Sequence, residues 1–179
     1  MSLVEGEGLR LRRASGDDLD FVLGLLNDED VEPFLAASRA RDGEGILEDI
    51  RVSTEEPADF GLFVIEVPDG DGWARAGMLE FALVNRRSRI AHLSGLAIHP
   101  DFRGRRLSDE AARVFQRHLI FDLDFHRLQL EVYGFNERAI HHAERSGFLR
   151  EGIKRQAYWR HGEWVDGVTF GLVREDLEG

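Results

Sequence analysis

Apolar and polar side chains alternate with a period of two from Leu9 to Arg13, the spacing of a strand at the edge of a sheet. The period then lengthens. Between Asp17 and Leu26 the residues Leu19, Val22, Leu25 and Leu26 share one helical face behind acidic residues suited to a first turn, and a second short helix is predicted between Glu44 and Val52. Phe60 to Val67 and Trp73 to Val84 are rich in β-forming residues on either side of Pro68-Asp69-Gly70-Asp71-Gly72, a turn sequence that predicts a hairpin. Arg89 to Ile98 supplies another strand, so the middle of the chain reads as an antiparallel meander.

After the meander the pattern becomes strand, helix, strand. Leu107 to Phe121 places Ala111, Val114, Phe115, Leu119 and Ile120 at helical intervals, and Arg127 to Val132 reads as a strand. Asn136 to Ser146 is a further helix, with Asn at its N-cap and Gly147 just past its end. Phe148 to Trp159 and Trp164 to Val173 flank the turn Arg160-His161-Gly162-Glu163 as the last two strands. Burying every apolar stripe requires an α/β (α+β) fold: a mixed, mostly antiparallel central sheet of about seven strands with helices on both faces. The three tryptophans Trp73, Trp159 and Trp164 are expected in the sheet core. Neither a repeat nor a linker divides the chain, so residues 1–179 are expected to form one domain.

Composition narrows the chemistry. Cysteine is absent, which removes disulfides, thiolate metal sites and a Cys nucleophile from every functional reading. A net charge of −11 disfavours nucleic acid as a partner, because phosphate neutralisation needs clustered Lys and Arg. The acidity is uneven: residues 1–72 hold 19 acidic and 6 basic side chains, whereas 73–179 hold 15 and 17. An acidic half suits a cationic acceptor and a balanced half suits a polyanionic cofactor, although an ordinary solvated surface has the same composition. No run approaches the roughly 18 apolar residues of a membrane span, and no leader pattern opens the chain, so a cytoplasmic protein without membrane contact is expected. His141 and His142 are adjacent and point to different sides of their helix, so no metal site is indicated.

The segment His99 to Ala111, HPDFRGRRLSDEA, joins a strand to a helix through a glycine-containing, Arg-rich turn. Such a turn directs free backbone N–H groups and the positive end of a helix dipole toward one point, which suits a pyrophosphate. The segment resembles motif A of the GNAT superfamily of N-acetyltransferases, in which a strand ending near a proline precedes an R/Q-x-x-G-x-G/A loop. Arg103 matches the first position, Arg106 stands where the motif has its first glycine, Ser108 stands at the closing Gly/Ala, and Gly104 occupies a freely chosen place. Downstream, NERAIHHAERSGF from Asn136 to Phe148 is similar to motif B, with Ala139 three residues after Asn136 and Gly147-Phe148 closing the helix. The resemblance extends over nearly the whole chain, to the branch containing ribosomal-protein N-terminal and polyamine acetyltransferases.

That resemblance implies transfer of an acetyl group from acetyl-CoA to a primary amine by direct attack in a ternary complex. The amine is a protein N-terminus, a polyamine or another small amine; a catalytically weak acyl-CoA-binding or regulatory protein of the same fold is the alternative. Homodimerisation is a further expectation. The implied cofactor contacts are Leu96, Ala97 and Ile98 through their backbone, the turn Arg103, Gly104, Arg105, Arg106, Leu107, Ser108 and Asp109, and Asn136 with Ala139. Arg106 is expected to keep a helical φ and swing its side chain toward a cofactor phosphate. Ser94-Gly95 is a candidate bulge that splays the strand and opens a slot. Asp28-Glu29-Asp30-Val31-Glu32 is a candidate rim for a cationic acceptor.

An acceptor amine must lose a proton before it attacks a thioester, which calls for a base or an ordered water path. His92, on the strand before motif A, is the leading candidate, and a strand histidine merely hydrogen-bonded to a neighbour is the competing reading. Ser94 lies on the same strand face and is suited to hold a water, while Glu131 and Glu80 are alternative bases. The Tyr that many family members use to protonate the leaving thiolate corresponds to Ala143; Tyr133 and Tyr158 are nearby in sequence, and a thiol of pKa about 8.5 leaves without much help.

Overall fold

The computed structural model describes residues 3–28 and 42–179. Its elements are β1 (Leu3–Gly6), β2 (Leu9–Arg13), α1 (Leu19–Asn27), α2 (Gly43–Glu55), β3 (Phe60–Asp69), β4 (Gly72–Asn85), β5 (Ile90–Ile98), α3 (Leu107–Arg117), β6 (Arg127–Tyr133), α4 (Glu137–Arg145), β7 (Leu149–Arg160), β8 (Glu163–Val173) and a terminal turn of helix, α5 (Arg174–Glu178). They form one sheet of eight strands in the order β1-β2-β3-β4-β5-β6-β8-β7. Every neighbouring pair is antiparallel except β5 and β6, which run parallel.

The sheet therefore has eight strands rather than about seven, and Leu9–Arg13 is not its edge. Leu3–Gly6 adds a short strand through a tight turn at Gly8, whose φ is +72°. The helix beginning at Leu107 also ends sooner than its apolar pattern implies. It changes at His118 to a π-type turn that runs to Asp122, and Leu119 and Ile120 stay buried there.

Alternation along the strands divides the core between the two faces. Phe63 and Ile65 of β3, Leu79 and Phe81 of β4, and Leu128, Leu130 and Val132 of β6 pack with Ala111, Val114 and Phe115 of α3 and Ala139 and Ala143 of α4. On the opposite face Leu62, Val64, Met78 and Ala97 pack with Val22 and Leu25 of α1 and Ile46 and Ile50 of α2. The three tryptophans are not core residues. Trp73 lies 4.0 Å beneath the Arg10 guanidinium, and Trp159 and Trp164 stand edge to face on the exposed tip of the β7–β8 hairpin. Their aromaticity favours strand structure without selecting an inward face. None of the described helices is long and apolar enough to cross a membrane.

Asp18 anchors the start of α1 to the sheet. Its fully buried carboxylate accepts hydrogen bonds from Arg12 of β2 at 2.8 Å, Arg75 of β4 at 2.7 Å and the Ser15 N–H at 2.7 Å. Burial alone raises the pKa of a carboxyl group, but the Arg12, Ser15 and Arg75 donors outweigh it and hold Asp18 down to about 2. A carboxyl whose folded pKa is depressed stabilises the protein above its unfolded pKa and loses that contribution as pH falls toward the folded value. Asp18→Ala is expected to cost about 3 kcal/mol at neutral pH, since it strands buried donors. Denaturant titrations of both proteins should show the gap closing between about pH 4 and pH 2.

Candidate active site

A slot opens where β5 and β6 part. Their parallel ladder pairs Ile90, Ala91 and His92 with Arg127, Leu128 and Gln129 and then stops. Beyond it, Leu93–Ile98 stays paired only to β4, so its other backbone edge, including Leu96, Ala97 and Ile98, faces the gap. The cause is local. The β4–β5 register shifts between Met78 and Glu80, opposite Ser94-Gly95, and Gly95 takes a φ of +68° that an L side chain rarely adopts. The bulge also inverts the alternation: Ala91 and Leu93 face the α3 side before it, and Leu96 and Ile98 do so after it. An unpaired backbone edge of this kind can take up a further extended chain that carries amide groups, as a sheet takes up a strand.

At the end of β5 the chain turns through Pro100–Phe102 and Arg103 into the N-terminus of α3. Gly104 has φ +81° and Arg106, the N-cap, has φ +56°. Arg106 thus does not keep a helical φ; it adopts the left-handed conformation for which the motif supplies glycine. Its side chain makes no capping hydrogen bond, so no oxygen from the N-cap covers the first-turn N–H groups of Leu107, Ser108 and Asp109. Those donors at a helix N-terminus fit a pyrophosphate. Arg106 also lines an open groove of about 540 Å³ between α3 and α4, together with Arg113 and Arg145. Arg103 and Gly104 are exposed, as is Arg105, whose guanidinium lies 5.2 Å from the Phe102 ring.

Other motif residues have structural duties. The Asp109 carboxylate accepts from Arg145 at 3.0 Å and sits 2.9 Å from Nδ1 of buried His142, which ties α3 to α4. The Asn136 side-chain oxygen accepts from the Ala139 N–H at 3.1 Å as the cap of α4, leaving any cofactor contact to its amide nitrogen. Ala139 and Ala143 are buried in the core.

A row of polar side chains crosses the face of the sheet that also carries Met78 and Ala97, opposite α3. On β4 Glu80 is buried and accepts from the Ser94 hydroxyl at 3.0 Å, so Ser94 spends its proton on a carboxylate. His92 stands beside Ser94 on the same strand face and hydrogen-bonds to no described residue. Burial pushes the His92 pKa below its ordinary value; the charges of Glu131 and Glu80 pull it upward and that of Lys154 pushes it down. On β6 Glu131 receives hydrogen bonds on both carboxylate oxygens, from Lys154 and from the Tyr158 hydroxyl. Burial raises the Glu131 pKa, and the Lys154 and Tyr158 donors more than reverse that, so Glu131 lies below the usual carboxylate range. Burial and the bond to Glu131 raise the Tyr158 pKa, so its hydroxyl holds its proton.

Lys154 and Tyr158 reach Glu131 from β7 by crossing β8 at Gly167. A Cβ there falls 2.7 Å from the Tyr158 ring and 3.2 Å from Glu131, so glycine leaves the passage open. The β7–β8 register also shifts between Lys154 and Tyr158, around Gln156 with φ +51°. Glu80, His92, Ser94 and Glu131 are thereby brought to one face, with Lys154, the single lysine of the chain, among them. The Lys154 and Tyr158 contacts to Glu131 are not predicted by the motifs, because they depend on the bulge and on Gly167. Of the acidic run that begins at Asp28, residues 29–32 lie outside the described residues. Among the described residues no group of three or more His, Asp or Glu side chains is placed to hold a metal.

Comparison with known proteins places this architecture. Residues 8–149 match the acetyltransferase (GNAT) domain family. The chain is 25% identical over 173 residues to an uncharacterised prophage-derived N-acetyltransferase, YokL, of Bacillus subtilis, covering 97% of this chain and 94% of that protein. It is 27% identical over 178 residues to the spermidine N(1)-acetyltransferase of Escherichia coli K12, covering 96% and 89%. The spermidine N-acetyltransferase of Vibrio cholerae, solved in complex with CoA and spermine, superposes with a TM-score of 0.83 at 20% identity over 97% of this chain and 99% of that one. The chain belongs to the GNAT family and is an acetyl-CoA-dependent N-acetyltransferase.

Proposed function

We propose that this acetyltransferase acts on a cationic primary amine of the polyamine class, bound on the sheet face that carries His92 and Glu131. One observation carries the reading: Glu131 already holds a primary ammonium, that of Lys154, and both charges act on the His92 imidazole, which hydrogen-bonds to no described residue. Glu80 adds a buried carboxylate to the same face. The acidic first part of the chain and the polyamine relatives support the same acceptor class.

Bound acetyl-CoA supplies a thioester carbonyl carbon open to attack. His92, neutral near physiological pH because burial depresses its pKa, accepts a proton from the acceptor ammonium. Glu131 and Glu80 orient the cation and favour the imidazolium that forms. Those backbone N–H groups of Leu96–Ile98 that point away from β4 face the charge that develops on the carbonyl oxygen. Without a cysteine there is no thiol to carry the acetyl group, so the amine attacks directly. The Asn136 amide nitrogen and the α3 N-terminus hold the cofactor in register, whereas Ala139, fully buried with its N–H on the Asn136 cap, packs the core and does not reach it. The acceptor class is tested by initial rates with spermidine, spermine and a peptide bearing a free N-terminus. Polyamines are expected to give the highest kcat/KM, and a peptide that exceeds them overturns the assignment.

The Arg106 guanidinium is assigned to a cofactor phosphate. Arg106→Gly removes left-handed strain of about 1–2 kcal/mol and restores about 0.4–1 kcal/mol of unfolded-chain freedom, so the melting temperature should hold or rise slightly. Affinity for acetyl-CoA should nonetheless weaken several-fold in a titration. Equal or tighter binding removes Arg106 from the phosphate site.

A further inference from the structure

Lys154 is the chain's one lysine, and its placement is unusual for a surface cation. Its side chain, although 55% exposed, starts opposite Gly167 and brings its ammonium back across the sheet to Glu131. The carboxylate it reaches is 15% exposed, and its charge and that of Lys154 are both felt by His92. A primary amine therefore already stands where the proposed function puts the acceptor. We infer that Lys154 is itself an acetyl acceptor, so that the enzyme modifies its own chain when it holds acetyl-CoA and no free amine. This inference rests on the assignment of that face as the acceptor site.

The reaction balances as it does for a free amine. The Lys154 ammonium gives one proton to His92, and its lone pair attacks the thioester carbonyl carbon. A C–N bond forms and the C–S bond breaks, with the sulfur leaving with its electron pair. The thiolate takes the second proton lost from nitrogen, and His92 later releases its proton to water. The product is a neutral Nζ-acetyl-lysine and free CoA. Loss of the Lys154 charge then frees one oxygen of Glu131 for a cationic acceptor, which gives self-acetylation a consequence for the site.

The exposed half of Lys154 and the bulge beside it leave the side chain room to move between Glu131 and the slot. Free polyamine competes for the same carboxylate, so it should slow the modification.

Purified enzyme is incubated with acetyl-CoA alone, and acetylation is followed by intact mass and located by peptide mass spectrometry. Spermidine turnover is measured on the same preparation. The expected result is one acetyl group on Lys154, added at a rate independent of protein concentration. The rate should fall at least about 10²-fold in His92→Ala, and spermidine should slow it. Lys154→Arg should acquire no internal acetyl group. Labelling of Lys154 no faster in the native than in the heat-unfolded chain overturns the inference, as does a rate that climbs with protein concentration. Spermidine turnover with Lys154 unmodified overturns it while the acceptor assignment stands; absence of both reactions overturns both.

Discussion

Replacing His92 with alanine is expected to lower kcat for amine acetylation by about 10²- to 10³-fold while acetyl-CoA affinity changes little. On the proposed assignment the imidazole faces the acceptor and lies neither along the edge of Leu96–Ile98 nor at the start of α3, so binding and proton transfer should separate in this variant. The pH dependence fixes the role. Burial is the dominant influence on His92 and lowers its pKa, so the neutral form that acts as base is already present at neutral pH. As pH falls through that depressed value the base becomes protonated and kcat declines. The wild type should therefore show an acid limb below the ordinary histidine range, followed by a plateau. In His92→Ala the limb should vanish along with most of the rate. A variant that keeps the limb has another base, for which Glu131 and Glu80 are the alternatives on the same face.

Gly95→Val should nearly abolish activity by a different route. Gly95 holds φ +68°, and a Cβ built there meets the Glu80 side chain at 3.3 Å. A β-branched residue pays about 1–2 kcal/mol for the left-handed conformation. Crowding against a buried carboxylate adds about 1–3 kcal/mol. The inexpensive escape is to flatten the bulge, which returns Leu96–Ile98 toward ordinary alternation and narrows the gap between β5 and β6. Acetyl-CoA affinity is expected to fall at least about tenfold, since a shift of 1.4 kcal/mol suffices for that. The protein should also lose about 3 kcal/mol of stability. Titration calorimetry and denaturant unfolding read the two effects separately, and unchanged affinity in a folded variant removes the bulge from cofactor binding.

How far the chain itself foretold this site varied from element to element. The helices and the central meander were legible because each buries one face or stripe, and burial imposes a period of 3.6 or 2 on the residues that must face inward. β1 was not: Leu3–Gly6 is only half-buried at alternate positions and is held to β2 mainly by backbone pairing, which leaves little trace in side-chain pattern. The Ser94-Gly95 bulge was legible because a glycine inside a strand signals either a bulge or a close approach. For Arg106 the sequence predicts a helical φ and the backbone is left-handed instead. The motif's glycine at that place is the signal for a left-handed residue, and an arginine there bears the strain rather than escaping it. The row from β7 to β4 was half visible. His92, Ser94 and Glu131 follow from position in their strands, whereas the Lys154 and Tyr158 contacts depend on a bulge around Gln156 and on an empty Gly167 two strands from His92. Contacts of that kind are set by register, which local pattern does not encode.

An enzyme that transfers acetyl groups to a cationic amine, and does not merely bind acyl-CoA, must release CoA thiol in step with its acceptor. The most direct test is continuous detection of CoA thiol released from acetyl-CoA, with and without spermidine, at saturating cofactor. Saturable multiple-turnover release that requires the polyamine is expected, with acetylspermidine formed in equal amount. Tight acetyl-CoA binding with no thiol released in the presence of any amine contradicts this expectation.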